Sequence, residues 1–527
     1  MSGSDNVIIV GAGPVGLGLA LDLGLRGVQC TLVERRREMH AIPKGQNLTQ
    51  RTLEHFQFWG VVDQIRAARL MPPTYPIGEL TAYRDLTTPW WHASAGREAV
   101  RSFYSQANER LPQYQVEKVL RAAIEKLPNV RIIYDATAVA LEQDATGVRV
   151  TVESRADGAQ EVIEGAYCVG CDGGRSMVRE AVGIARDGTD FDTKMALLVF
   201  RSRELHEKLH ERFPERSTYR VMKPELHGYW SFFGRIDVGE GWFFHAPVPA
   251  DAGPDFDFKK LLRDAAGFDF ACEFDHIGFW DLRVSVAERY RVGRVFIAGD
   301  AAHTHPPYGG YGLNNGLEDA TNLGWKIAAA VKGWGGETLL DSYSLERQPI
   351  FKETGEFFIA SRIRNDDEFL TRYNPDRDLA EFEKAWEGRK LDGWARAHEY
   401  EPHYEASPVI AGGPNAKTSA RGEHRVEARA GHHLTPQPIA DGRSTFDVLG
   451  PEFTLLAFGV EPADMAAFEA AAQELRMPLV CVRDTREETA QAYGARLVLV
   501  RPDQYVVWAG DSAPADVHAL LRKAVGR

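Results

Sequence analysis

Cysteine is scarce: Cys30, Cys168, Cys171, Cys272 and Cys481 are the only five in 527 residues. That is too few for a disulfide framework and fits a reducing compartment. Cys168 and Cys171 have C-x-x-C spacing, but they lie in the strand-like run Ala166-Tyr167-Cys168-Val169-Gly170-Cys171. No second pair or histidine completes a zinc site, so the reading is buried thiols and no metal. Long apolar runs are missing as well. The stretch from Val7 to Leu25 comes nearest, yet it lacks a basic leader and is interrupted by Gly11, Gly13, Gly16 and Gly18. It reads as strand, turn and helix, not as a signal peptide or a membrane span. Positive charge is not in excess either. With 62 basic against 75 acidic side chains, net −13, the chain does not read as a nucleic-acid or anionic-membrane binder. Internal repeats are absent. The expectation is a cytoplasmic protein that acts on small molecules.

What is present is an ordinary soluble composition, 44% apolar and 26% charged, which requires a packed fold. At roughly 150 residues per domain the length predicts three to four units. Val7-Ile8-Ile9-Val10 has the β-branched enrichment of a buried parallel strand. A glycine turn, a helical pattern to Arg26 closed by Gly27, and a strand from Gln29 to Glu34 complete a βαβ opening. Strand patterns then recur at Val130–Tyr134, Val148–Glu153, Val162–Val169, Tyr229–Arg235 and Gly241–Ala246, which predicts an inserted antiparallel sheet. Val295-Phe296-Ile297-Ala298 returns to the first domain, followed by a helix from near Asn315. Asp376 to Tyr400 has helical spacing, and Ser407–Gly413 and His432–Pro438 read as linkers. The last hundred residues alternate strand and helix as a small α/β unit.

Gly11-x-Gly13-x-x-Gly16 is a weak signal alone, but here it follows a strand, opens a helix at Pro14 and precedes Glu34 at the end of the next strand. Gly11 permits the turn, Gly13 lets the backbone approach a pyrophosphate, and Gly16 allows close packing of helix on strand. Glu34 is placed to accept hydrogen bonds from a ribose. A second signal is Cys171-Asp172-Gly173-Gly174-Arg175-Ser176, and a third is Gly299-Asp300-Ala301-Ala302-His303 with Pro306-Pro307-x-Gly309-Gly310-x-Gly312-Leu313-Asn314. Asp300 follows a strand, where its carboxylate can accept hydrogen bonds from ligand hydroxyls. Gly309, Gly310 and Gly312 remove side chains where the backbone must approach a ligand closely, and the Leu313 and Asn314 amides can donate to a ligand oxygen.

These three motifs, in this order and with Tyr343-x-x-Glu346-Arg347-x-Pro349 behind them, resemble the single-component flavoprotein aromatic hydroxylases of the para-hydroxybenzoate hydroxylase and phenol hydroxylase type. The resemblance covers about the first 350 residues. It implies a Rossmann-type FAD-binding domain, an inserted mixed or antiparallel substrate sheet, and a thioredoxin-like C-terminal domain, giving an α/β fold class. It assigns FAD to Gly11, Gly13, Pro14, Gly16, Glu34, Arg35, Lys44, Gln113, Asp172, Gly173, Asp300, Pro307, Gly309, Gly310, Gly312, Leu313 and Asn314. Arg175 and Arg179 can serve phosphates or pair with carboxylates. NADPH or NADH binds transiently, because a second dinucleotide fingerprint is missing. The resemblance further implies that oxygen is carried as a flavin C4a-hydroperoxide beside Pro307 and passed to an electron-rich ring.

The implied domain limits are 1–72, 106–185 and 286–350 for FAD, 73–105 and 186–285 for substrate, 351–430 for a helical linker and 431–527 for the C-terminal domain. A substrate base is expected on the inserted sheet, with His245 and Tyr229 as the candidates. His303 reads as structural. The expected partners are a small aromatic compound and O2, with the tail as a packing or subunit-interface element of a homodimer. Two other functions remain open: a flavin-dependent Baeyer-Villiger oxygenase or epoxidase acting on a polyketide-like ring, and a non-catalytic flavin-binding protein.

Overall fold

The computed structural model describes residues 6–75, 79–93 and 96–527. Its first sheet has six strands in the order Arg291–Val292, Val295–Ile297, Tyr167–Gly170, Val7–Val10, Cys30–Glu34 and Val130–Tyr134. Val7–Val10 is flanked on both sides by parallel partners, and all four of its residues are buried, as a strand covered on both faces demands. Helix Pro14–Leu25 makes the crossover to Cys30–Glu34 and packs against helix Tyr311–Val331. This is the Rossmann-type unit.

The second sheet has eight strands, built around two long ones, Arg186–Arg201 and Glu273–Ala287. Alternate residues of Arg186–Arg201 serve two cores, following the period of two along a strand. Ala196, Leu198 and Phe200 pack with Leu205, Leu209 and Leu262 beneath the covering helices. Leu197 and Val199 pack with Phe243 on the opposite face.

Three details differ from the sequence reading. Val162–Val169 is not one strand: Gln160–Gly165 belongs to a three-stranded antiparallel sheet and Tyr167–Gly170 to the parallel one, with the Ala166 amide donating to the Asn6 carbonyl between them. Val130–Tyr134 is the edge of the parallel sheet, not part of the insertion. Both long strands escaped notice, because charged residues such as Asp187, Asp190, Lys194, Asp275, Asp281 and Arg283 interrupt their apolar pattern.

The C-terminal unit has strands in the order Leu479–Asp484, Phe453–Phe458, Leu497–Val500 and Val506–Gly510, with helices Pro462–Leu475, Glu487–Tyr493 and Val517–Ala524. One parallel and two antiparallel pairings give it the thioredoxin-like topology. All five cysteines are free thiols, and Cys168 is fully buried in its strand. Among the described residues no helix is long and apolar enough to cross a membrane.

A buried ionic cluster ties this unit to the first domain. Glu346 accepts from Lys326 at 2.7 Å, from Arg501 at 2.7 and 3.0 Å, from Asn322 at 2.7 Å and from the Ser407 hydroxyl at 2.6 Å. Burial would raise the Glu346 pKa, but Arg501 and Lys326 hold it well below the usual carboxylate range. A depressed carboxylate contributes stability that is present above its unfolded pKa and lost on acidification. Glu346→Ala leaves the buried Lys326 ammonium without a carboxylate and Arg501 with Asp503 alone, and is expected to cost about 3–5 kcal/mol, read as a lower urea midpoint at neutral pH. Glu346→Gln should flatten the loss of stability below about pH 4.5 relative to the parent chain.

Candidate functional site

The glycine turn is built by sterics at two positions. Gly11 has φ +102°, and a Cβ there would stand 2.4 Å from the Cys171 carbonyl oxygen. At Gly16 a Cβ would meet the Gly11 carbonyl oxygen at 1.9 Å, so helix and turn touch backbone to backbone. At Gly13, the N-cap of helix Pro14–Leu25, an added Cβ meets nothing within 4 Å. The backbone there is bare toward a cleft, next to a positive helix N-terminus. Glu34 closes the turn by accepting from the Ala12 amide at 2.7 Å.

The third motif is fixed from behind by Asp319. This fully buried carboxylate accepts from the Gly299 amide at 3.0 Å, from His303 Nε2 at 2.6 Å and from Arg347 Nε at 2.8 Å. His303 also stacks on Phe351 at 3.8 Å, a structural position. Asp300 is thereby turned toward the cleft. It is open to that cleft yet walled by protein, and this desolvation raises its pKa, against the pull of His303, Lys44 and Arg186. Gly309 and Gly310 both take left-handed φ, +66° and +67°, and the helix begins at Tyr311, not near Asn315. Asn314 is the first residue whose amide the helical ladder uses, so the Leu313 amide stands outside that ladder whereas the Asn314 amide is taken up by it.

One cleft of about 820 Å³ collects these groups. Gly11, Gly13, Pro14, Glu34, Arg35, Lys44, Gln113, Asp172, Gly173, Asp300, Pro307, Gly310, Gly312 and Leu313 all line it. Gly16 packs behind it, Gly309 is not in its wall, and Asn314 faces a second, smaller cavity on the other side of the helix start. The Asn314 carboxamide is used internally, accepting from the Thr49 amide at 2.9 Å and donating to the Asn47 carbonyl at 2.8 Å. Asp172 accepts from the Val178 amide at 3.1 Å through one oxygen, and its other oxygen is buried without a partner. Burial raises its pKa.

Arg35, Arg36, Lys44, Arg121 and Arg175 converge on the same cleft in a chain of net charge −13. Arg36 and Arg121 were not foreseen, since neither belongs to a motif. Arg179 lies outside the cleft lining, donating to the carbonyls of Gly174 and Ala301, both at 3.1 Å, and pairing with the Glu180 carboxylate at 3.6 Å. Carboxylates for sugar hydroxyls, cations for phosphates, a bare glycine at a helix N-terminus and an orphaned acceptor fit a dinucleotide such as FAD.

The long-stranded sheet forms the facing wall with Leu197, His245, His276, Gly278, Phe279 and Trp280. His245 is 8% exposed, its Nδ1 has no partner, and burial pushes its pKa down to about 4, leaving a neutral imidazole at physiological pH. Tyr229 is corrected: it precedes strand Trp230–Arg235 and packs with Phe191 and Trp230 outside the cleft. The residues of Glu273–Ala287 that line the cleft were missed along with the strand itself. His305, which flanks the third motif, and Gln46 each carry a buried, unpartnered nitrogen in the cleft wall.

The FAD binding domain family matches residues 5–357, and the aromatic-ring hydroxylase C-terminal domain family matches residues 427–527. The chain is 30% identical to 4-methyl-5-nitrocatechol 5-monooxygenase of Burkholderia sp, over 98% of this chain and 96% of the relative. It is 32% identical to anhydrotetracycline monooxygenase of Streptomyces rimosus, over 95% of each chain. Among solved structures, the rebeccamycin biosynthetic enzyme RebC with reduced flavin superposes with a TM-score of 0.84 at 29% identity, covering 99% of both chains. Aklavinone-11 hydroxylase with FAD and aklavinone gives 0.83 at 25% identity over the full length of both. Cleft, fold and likeness agree: the chain belongs to the FAD-dependent aromatic-ring hydroxylases, a family of flavin monooxygenases.

Proposed function

We infer that the chain hydroxylates a phenolic or related aromatic compound, using FAD, dioxygen and NADPH or NADH. The observation that carries this reading is convergence. Three motifs separated by more than a hundred residues each line one cleft, which a histidine-bearing sheet also walls. The nitrocatechol relative favours a phenolic ring. Relatives named for tetracycline and polyketide substrates favour a second reading, oxygenation of a larger fused ring. Free thiols throughout support a cytoplasmic setting.

Bound FAD supplies the redox chemistry, accepting reducing equivalents from a nicotinamide and activating oxygen. The protein supplies the rest. Gly11, Gly13, Glu34, Asp172 and Asp300 hold the cofactor, and Lys44, Arg35 and Arg175 offset phosphate charge. The N-terminus of helix Tyr311–Val331, which opens on the cleft, would favour the negative charge of a reduced flavin held there. His245, neutral at working pH, accepts a hydrogen bond from a ring hydroxyl and draws electron density into the ring. Leu197, Phe279 and Trp280 give the facing wall apolar surface, which would limit water around a bound ring.

Purified protein should contain FAD and consume NAD(P)H and oxygen faster when phenols, pyridinols or nitroaromatics are added. Consumption that no aromatic compound stimulates would sink the hydroxylase reading. Product mass and ring connectivity separate ring hydroxylation from Baeyer-Villiger insertion or epoxidation. Asp300→Ala is expected to lose FAD and all turnover, and full flavin occupancy would contradict its placement. Gly13→Ala should fold normally, since the added Cβ meets nothing within 4 Å, yet bind FAD about tenfold more weakly in an equilibrium titration. His245→Phe should keep FAD while slowing hydroxylation about tenfold or more and diverting NAD(P)H into peroxide.

A further inference from the structure

Gln46 and Arg110 form an arrangement that cofactor binding leaves unused. The short strand Asn47–Leu48 pairs with Glu109–Arg110 beside the cleft, and the Gln46 carbonyl accepts from the Leu111 amide at 2.9 Å. Arg110 Nη2 donates to Gln46 Oε1 at 3.0 Å and to the Arg235 carbonyl at 2.6 Å. Both side chains are deeply buried, Gln46 at 7% and Arg110 at 5% exposure. A guanidinium can only donate, so the carboxamide must turn its oxygen to Arg110, which fixes Nε2 as the opposite end. That NH2 group has no partner, in a residue that lines the cleft.

The charges around it are uncompensated. Neither contact of Arg110 is a carboxylate, and its Nε and Nη1 lack partners. Burial, reinforced by the neighbouring Arg235 guanidinium, pushes the Arg110 pKa down to about 9. Arg235 is itself held by neutral groups: the Arg216 carbonyl, the Tyr219 hydroxyl, His206 and the Trp242 ring at 4.4 Å. Two buried cations without an anion are expensive, and the chain retains them behind a donor in the cleft wall. A negatively charged oxygen from outside matches that donor, whereas a neutral hydroxyl seeking an acceptor does not.

We propose that Gln46 contacts the substrate and sets its specificity, with Arg110 as the positioning residue, so that the carboxamide NH2 donates to a ring oxyanion and acidic phenols are taken up as phenolates. This rests on the hydroxylase reading above. A carboxamide cannot remove a proton, so at this wall the ionised ring is selected, not generated. Rings ionised at neutral pH, such as nitrophenols, are the substrate class it fits.

The test uses the FAD-loaded protein with 4-nitrophenol, whose visible phenolate band reports ionisation in difference spectra. In the wild type the bound probe should titrate below its solution pKa. Gln46→Leu should weaken binding about tenfold or more and return the bound probe to its solution pKa, with FAD affinity and the ligand-free flavin spectrum unchanged. Arg110→Met should move the probe's titration in the same direction, and Arg110→Lys should recover part of it. The proposal is overturned if Gln46→Leu binds nitrophenolate within twofold of wild type, or if it weakens FAD instead, which would give the donor to the cofactor. A wild-type protein that cannot retain FAD refutes the hydroxylase reading and this proposal with it, a result distinct from an unresponsive Gln46→Leu holoenzyme.

Discussion

One buried carboxylate holds the cofactor side of the molecule together. Asp319 sits fully inside helix Tyr311–Val331, with three donors from three separate segments: Gly299 after a sheet strand, His303 beyond it, and Arg347 on the next helix. Its charge-assisted hydrogen bonds fix the loop that turns Asp300 toward the cleft relative to the helix whose N-terminus opens there. Arg347 extends the constraint to the Asn315 carbonyl at 3.2 Å and the Tyr404 hydroxyl at 3.0 Å. Tyr343, in the same motif, donates to the Ile297 carbonyl at 2.9 Å, anchoring the helix to the parallel sheet. The Tyr-Glu-Arg motif thus acts from behind the site, without lining the cleft.

The same helices carry the C-terminal unit. Arg51 reaches Glu318 at 3.1 Å, the Gln504 side chain at 2.8 Å and the Asp503 carbonyl at 2.6 Å. Together with the Glu346 and Arg501 contacts, this fuses a thioredoxin-like topology to the back of the FAD domain through ionic contacts that are costly to break singly. Redox exchange has no chemistry to use there: Cys481 stands alone, and burial raises its pKa to about 11.

Electrostatics divides the cleft into two regions of different demand. Toward the glycine turn, exposed or half-exposed arginines and a lysine offer ordinary phosphate-binding charge. Beside Gln46, two guanidinium groups are buried without carboxylates, an arrangement that stability alone would not favour. The cleft lining thus sets Arg35, Arg36, Lys44, Arg121 and Arg175 beside the carboxylates of Glu34, Glu38, Glu117, Asp172 and Asp300.

The Rossmann opening, the order of the three cofactor motifs and the alternating strands and helices of the tail were legible in the sequence, because each depends on local rules; that the tail is thioredoxin-like came from family resemblance. A glycine is required where Gly16 meets the Gly11 carbonyl, and a β-branched run is required where Val7–Val10 is covered on both faces. Only the tertiary structure decided which groups share the cleft. The sheet wall was illegible because charged residues mask the period of its two longest strands, and so His276, Phe279 and Trp280 went unseen while Tyr229 was misplaced. Arg110 and Gln46 are 64 residues apart, and nothing in either neighbourhood signals the other. Their pairing, like the Asp319 junction, comes from burial that brings distant polar groups together away from water, where each must find a partner or remain available for a ligand.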